Sequence, residues 1–414
     1  MAVLKAFKGV RPVENKAKEV ASRPYDVLNC EEARKEAEGL PCSFLHVVKP
    51  EIDLPDDIDP YSDQVYNKGK ENFQEMLDDG ILCQDQYDHL YIYQLTMDGQ
   101  TQTGIVGCCS IDDYFNNVIK KHELTRPDKE EDRKNHVRTG KMNAEPVFFS
   151  YKAQKEVDNI VESITKSTPD YNFTARDDIQ HKLWVVGNED TIEKLVKLFG
   201  GIESIYVADG HHRTAAAALV GKEMRETNPD HNGTEHYNYF MAVLFPDNQL
   251  KIIDYNRVVK DLNGLRKEEF LNKLNASFDV TNHGSKTFKP TKLHEFGMYL
   301  DEEWYELQAK DGTYNDSDPI EVLDVTVLSN QILDPVLGIT DLRRDKRIEF
   351  VGGIRGLGEL KKRVDSGDMA VAFALYPVSM QQLIDISDND KIMPPKTTWF
   401  EPKLRSGLFV HLLN

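Results

Sequence analysis

The residues best equipped for chemistry run Ile205-Tyr-Val-Ala-Asp209-Gly210-His211-His212-Arg213-Thr-Ala-Ala-Ala-Ala-Leu219. The apolar, β-branched start predicts a strand, Gly210 permits a sharp turn, and the alanine run is a strong helix former. A helix opening near His211 or His212 leaves backbone N–H groups unpaired in its first turn, a positive end suited to phosphate. Arg213 adds a planar fork for phosphate oxygens. Asp209, at the carboxyl end of the strand, can hold a magnesium ion, steer a hydroxyl, or serve only as a helix cap. Adjacent helical residues diverge by about 100°, which argues against His211 and His212 sharing one metal ion.

Two further stretches carry suitable groups. In Lys120-Lys121-His122-Glu123-Leu124-Thr125-Arg126-Pro127, the His-Glu pair starts like a zinc-protease motif, but Arg126 stands where the second histidine would be. The two lysines would keep Glu123 ionised, as a base must be. A solvated charge run continuing through Glu130, Glu131 and Arg133 reads the same residues without chemistry. The third stretch is Met393-Pro-Pro-Lys396-Thr397-Thr398-Trp399-Phe400-Glu-Pro-Lys-Leu-Arg405-Ser-Gly407. Lys396 and Arg405 supply cations, Thr397 and Thr398 short hydroxyls, or the loop is structural and anchored by Trp399 and Phe400. The glycines of Val351–Gly358 fit neither GxGxxG nor the Walker A spacing, so a turn opening a helix over 359–364 accounts for them.

The elements that must position these groups follow from periodicity and breakers. A polar helix is predicted over 31–40, a strand over 43–48 and an amphipathic helix over 61–77, with a solvated acidic loop at 51–60. Strands at 89–95 and 103–111 form a hairpin around Asp98-Gly99. Strands follow at 146–151, 182–186, 204–208 and 239–245, with helices at 155–165, 192–198 and 214–220. The last part alternates again, with a strand over 369–376 and a helix over 380–386 before the Met393 loop. This is a mixed α/β (α+β) pattern, divided as an N-terminal extension (1–85), a core (86–248) and a C-terminal α/β domain (249–414).

Composition limits the function classes. The 70 acidic residues outnumber 51 Lys and Arg, giving a formal charge of -19, which argues against coating nucleic acid. An anionic substrate would therefore need a local basic cluster, and Arg213, Lys396 and Arg405 are the candidates. The five cysteines include no CxxC pair, which excludes a zinc knuckle by spacing and fits a reducing compartment. The first ten residues lack a signal-peptide core, and the longest apolar run, over 369–378, is half of what a membrane span needs. A cytoplasmic protein without membrane partners is expected.

Together the three stretches resemble the ParB/sulfiredoxin-like superfamily in its free serine kinase (SerK) branch. The matching pieces are a strand before Asp209-Gly-His-His-Arg213, an upstream His122-Glu123, and a downstream Pro395-Lys396-Thr397-Thr398. Over its length the chain also resembles the bacterial domain of unknown function 1015 family, through Arg23-Pro-Tyr-Asp-Val-Leu28, Phe44-Leu-His-Val-Val48, Glu131-Asp-Arg133, the Asp209 turn and the 396–408 segment. The resemblance implies a small-molecule kinase that moves a phosphoryl group from ATP or ADP to free L-serine, with Mg²⁺ as cofactor. Glu123 would be the base, while Asp209 would orient the serine or the ion. Gly210, His211, His212 and Arg213 would cradle phosphates, and Lys396, Thr397 and Thr398 would complete the substrate side. Arg405 as a carboxylate grip is inferred from charge and position alone. Two alternatives use the same residues: a metal-dependent phosphohydrolase or nucleotidase, and a ParB-like nucleotide-binding regulator or DNA-partition protein.

Overall fold

The structure, a computed structural model, describes all 414 residues. They divide into two compact units, one formed by 1–121, 125–250 and 402–414, the other by 122–124 and 251–401. The N-terminal extension is thus part of the first unit rather than a separate body. The last thirteen residues belong to that unit too, outside the C-terminal domain to which they are assigned by sequence.

The first unit is built on one mixed eight-stranded sheet. In chain order its strands are β1 (Leu90–Met97), β2 (Gln100–Ser110), β3 (Ile119–Lys120), β4 (Val147–Tyr151), β5 (Tyr171–Thr174), β6 (Gln180–Val186), β7 (Ile205–Asp209) and β8 (Tyr239–Pro246). Their spatial order is β3-β7-β4-β8-β2-β1-β6-β5, with β7–β3 and β8–β4 parallel and the other pairs antiparallel. Asp98 and Gly99 both take positive φ, the geometry a two-residue hairpin requires, and so join β1 to β2. Central strands β4 and β8 are almost wholly buried, which explains their unbroken apolar runs.

Three helices matter for the site: α1 (Asp63–Asp78), α2 (Pro127–Gly140) and α3 (His211–Thr227). The four alanines at 215–218 are buried in α3. Gly221 comes so close to the Tyr237 carbonyl that a Cβ would lie 2.3 Å from it. The stretch after Pro127, where the sequence leaves a charge run open, is a helix with Pro127 at its start and Asp128 and Glu130 in its first turn. Its Arg138 and Lys134 pair with Glu223 of α3.

The strand expected over 43–48 is instead a short helix, Leu45–Val48. All four apolar residues Phe44, Leu45, Val47 and Val48 are buried, so burial supplies what the β-branched residues lack in helix propensity.

The second unit carries an antiparallel six-stranded sheet: β9 (Tyr255–Val259), β10 (Phe278–Gly284), β11 (Glu295–Leu300), β12 (Glu303–Ala309), β13 (Ile348–Gly352) and β14 (Val371–Ala374). Their order is β10-β12-β11-β14-β9-β13. Trp399 and Phe400 pair with Ile253 and Ile252. Phe400 is buried, and Trp399 meets Tyr255 edge-on at 4.9 Å, so both rings anchor their loop. No helix is long and apolar enough to cross a membrane.

Candidate active site

Strand β7 ends at Asp209 and α3 opens at His211, with Gly210 between them at φ 88°. That left-handed turn favours glycine, and a Cβ here would also press on Arg213, 3.1 Å from its Nε. The pairing of β7 with β4 slips between Val207 and Asp209, a bulge that re-aims the final side chain. Gly210 has no side chain to cap α3, so the helix opens through backbone groups at its positive end.

Two cations meet Asp209. Arg213 Nη2 lies 3.4 Å from Oδ2, and Lys403 Nζ lies 3.5 Å from Oδ1. Arg213 is buried, donates through Nη1 to the Pro146 carbonyl at 2.8 Å, and has Asp26 3.6 Å from Nη2. Burial opposes its charge, but Asp26, Glu145 and Asp209 outweigh that and hold the guanidinium above its ordinary pKa. Asp26 and Lys403 escape a reading of the sequence because both act through contacts far along the chain. The only signal was their membership of the Arg23–Leu28 and Met393–Gly407 stretches.

The segment from His122 to Arg126 has a tie at each end. In the second unit, His122 is buried, its Nε2 is 3.2 Å from Thr398 Oγ1, and its carbonyl accepts from the Met393 N–H at 2.8 Å. In the first unit, the Arg126 N–H donates to His212 Nε2 at 3.0 Å. Glu123 stands between these ties and is half-buried. The first contact spans 276 positions within the second unit, and the other spans 86 positions within the first.

Within the Pro395–Thr398 turn, Lys396 is exposed with φ 59°, and its Nζ sits 5.9 Å above the Tyr255 ring. Thr397 is buried and donates to the Pro394 carbonyl at 2.6 Å, so its hydroxyl shapes the loop. Beneath the loop, Arg257 is 1% exposed and donates to the Tyr255 carbonyl and, at 3.4 Å, to the Pro395 carbonyl. Burial pushes its pKa down to about 10. No sequence cue set Arg257 apart from the other arginines.

Arg405 does not offer its fork to a ligand. It is buried, ion-paired with Asp177, and donates to His181 Nε2 at 3.3 Å. Burial would raise Asp177, yet Arg405 holds it below the usual carboxylate range. The carboxylate Arg405 grips is the chain's own.

No cluster of three or more His, Cys, Asp or Glu could hold a metal ion. A single carboxylate such as Asp209 fits a magnesium ion delivered with phosphates, which keeps most of its own waters and phosphate ligands.

A mixed α/β fold with a strand–glycine–helix turn is the class this site defines. The chain belongs to the family of proteins of unknown function DUF1015, whose family model matches residues 4–326. No curated protein matches it. Among solved structures it is similar to a conserved hypothetical protein from Pyrococcus furiosus, at 14% identity over 75% of this chain and 95% of that one, with TM-score 0.36. A free serine kinase variant in complex with AMP matches at 13% identity, 74% and 92% coverage and TM-score 0.38. Another variant of a free serine kinase, in complex with ADP, matches at 12% identity, 74% and 92% coverage and TM-score 0.36. Likenesses this loose carry no argument about activity.

Proposed function

We propose that this chain transfers a phosphoryl group from ATP or ADP to the hydroxyl of a small molecule, free L-serine, giving O-phosphoserine. The observation that carries the reading is the Gly210 turn, where the opening of α3 stands beside Asp209 with Arg213 Nη2 3.4 Å and Lys403 Nζ 3.5 Å from its carboxylate.

In this reading, the first turn of α3, with His211, His212 and Arg213, binds the donor phosphates. Glu123 takes the proton from the serine hydroxyl as its oxygen bonds to phosphorus. The bond from phosphorus to the bridging oxygen breaks, and the donor leaves as ADP or AMP. Asp209 orients the hydroxyl or holds Mg²⁺, which would neutralise charge on the phosphates. Lys403 adds a second cation to the Asp209 turn. Lys396 and Thr398 complete the substrate side.

The test is a panel of small hydroxyl compounds incubated with Mg-ATP or Mg-ADP and read by mass spectrometry. Serine-dependent phosphoserine is expected, and Glu123→Gln should lower its rate about 10²–10⁴-fold. Phosphate release without serine would make the protein a hydrolase instead.

A further inference from the structure

A partly enclosed cavity of about 50 Å³ lies in the first unit, under the N-terminal segment and beside α2 and α3. Its walls include none of Glu123, Asp209 or Lys396. One wall is apolar, with Val47, Met142, Ala216 and Phe240. The other carries Arg133, Arg213 and Glu145, each 8% exposed.

These three charged groups have unused hydrogen-bonding capacity. Arg133 commits Nε and Nη2 to Asp132 Oδ2, at 3.1 and 2.8 Å, and makes no hydrogen bond through Nη1. Its Cζ lies 3.8 Å from the centroid of the Tyr25 ring, and this contact with the Asp132 pair restricts its direction. Arg213 Nε is buried without a partner. Glu145 Oε1 accepts from the Tyr25 N–H at 3.1 Å and the Ser406 hydroxyl at 2.8 Å, and Oε2 accepts from nothing. Buried polar groups are normally satisfied, so the unpartnered Arg213 Nε, beside an Arg133 Nη1 and a Glu145 Oε2 that no protein group bonds, marks the space as polar-lined.

Charge and size narrow the occupant. Arg133 and Arg213 face Asp132 and Glu145, so the buried groups already balance, and a bare anion would upset them. Lys70 at the rim is exposed, and His136 is held neutral because burial, Arg133 and Lys49 push it well below its ordinary pKa. A zwitterion adds no net charge. Its carboxylate suits the two arginine nitrogens and its ammonium suits Glu145. The cavity holds only about four water-sized groups, at roughly 10–15 Å³ each. Nucleotides, which need pockets of roughly 300 Å³ or more, are excluded.

We propose that this cavity is a binding site for a small α-amino acid of glycine to serine size, formed by Arg133, Glu145 and Arg213. It goes beyond the phosphotransferase reading, since it concerns binding away from Glu123 and Asp209, and the ligand is an effector.

Isothermal calorimetry on the full chain tests it with glycine, L-serine, acetate and glycine methyl ester. The two amino acids should bind, while acetate (no ammonium) and the ester (no carboxylate) should bind roughly ten- to a hundredfold more weakly. Glu145→Gln should weaken amino-acid binding by a similar factor while keeping both Oε1 hydrogen bonds. Ala216→Leu, which fills the apolar wall, should abolish binding, with the melting curve confirming that the variant folds. The site is overturned if neither amino acid binds, if acetate or the ester binds equally well, or if folded Glu145→Gln and Ala216→Leu bind like the parent chain. Phosphoserine formation by a chain that fails this test would leave the kinase reading standing and remove the cavity. Binding without product would do the reverse.

Discussion

Arg213 of the first unit and Arg257 of the second are both buried, but their charges are handled in opposite ways. Arg213 has Asp209 and Asp26 beside it, with Glu145 close enough to stabilise its charge, and these hold its pKa above the ordinary value. Arg257 pairs with no carboxylate. It has two backbone carbonyls, with the Phe350 ring 4.9 Å away, and burial depresses it to about 10. The first arginine knits a charged cluster in which removing the cation strands several acids. The second is a buried cation kept for what it holds, the Pro395 carbonyl at the root of the Lys396–Thr398 turn. Compensation thus marks structural dependence, and its lack marks a residue retained at an energetic cost.

The largest effect should come from Arg213→Met, which leaves Asp26, Asp209 and Glu145 without their shared cation. A loss of about 3–5 kcal/mol in unfolding free energy is expected, as for a broken buried pair, and chemical denaturation would measure it. An unchanged midpoint would erase the contrast between the two arginines.

Acid should separate the units next. Burial holds His181 and His411 of the first unit near a pKa of about 3, below the ordinary value of about 6.5. Between those values the unfolded chain binds protons that the folded unit does not, so these residues remove stability as pH falls. In the second unit, burial raises the carboxyl of Asp324, which then holds its proton at a pH where the unfolded chain has released it. That group adds stability as pH falls towards its ordinary range. Hydrogen exchange at pH 5 against pH 7 should therefore show the peptides around His181 and His411 losing protection before those around Asp324. Equal loss in both would contradict the assignment.

Arg257→Met should change stability by no more than about 1 kcal/mol, or raise it, because the side chain it removes is a buried cation without a counter-ion. Thermal melting gives the answer, and a loss as large as that of Arg213→Met would mean an acid compensates it after all. The smallest structural effect belongs to Lys396→Ala. Its exposed side chain should leave the melting temperature within a degree or two, since surface changes rarely exceed about 0.5 kcal/mol, while lowering the use of nucleotide or serine. A melting shift without any change in turnover would make the loop structural only.

Where local signals were strong, the sequence was a sufficient guide. Asp98-Gly99 specifies its hairpin through two positive φ angles, and Gly210 before an alanine run specifies the strand-to-helix turn. The 43–48 segment went wrong because a short apolar run looks the same in a buried helix and a buried strand. The helix over 127–140 was hidden because it is polar nearly all round. Its stability rests on ion pairs to α3 that no local pattern reveals. The site divides along the same line. Asp209 and its turn are local and legible, whereas Lys403, Asp26 and Arg257 become visible only when distant segments meet, and the charge of Arg405 gives no hint of its long-range partner Asp177.

The central claim, that the Asp209 turn performs phosphoryl transfer, is tested most directly by Asp209→Asn followed by ³¹P NMR with Mg-ATP or Mg-ADP and L-serine. The substitution keeps the shape of the side chain and removes its charge. The account predicts a phosphoserine signal from the parent chain, at least about 10²-fold slower in the variant, with the variant still folded. A folded Asp209→Asn chain that forms phosphoserine at the parent rate would contradict it.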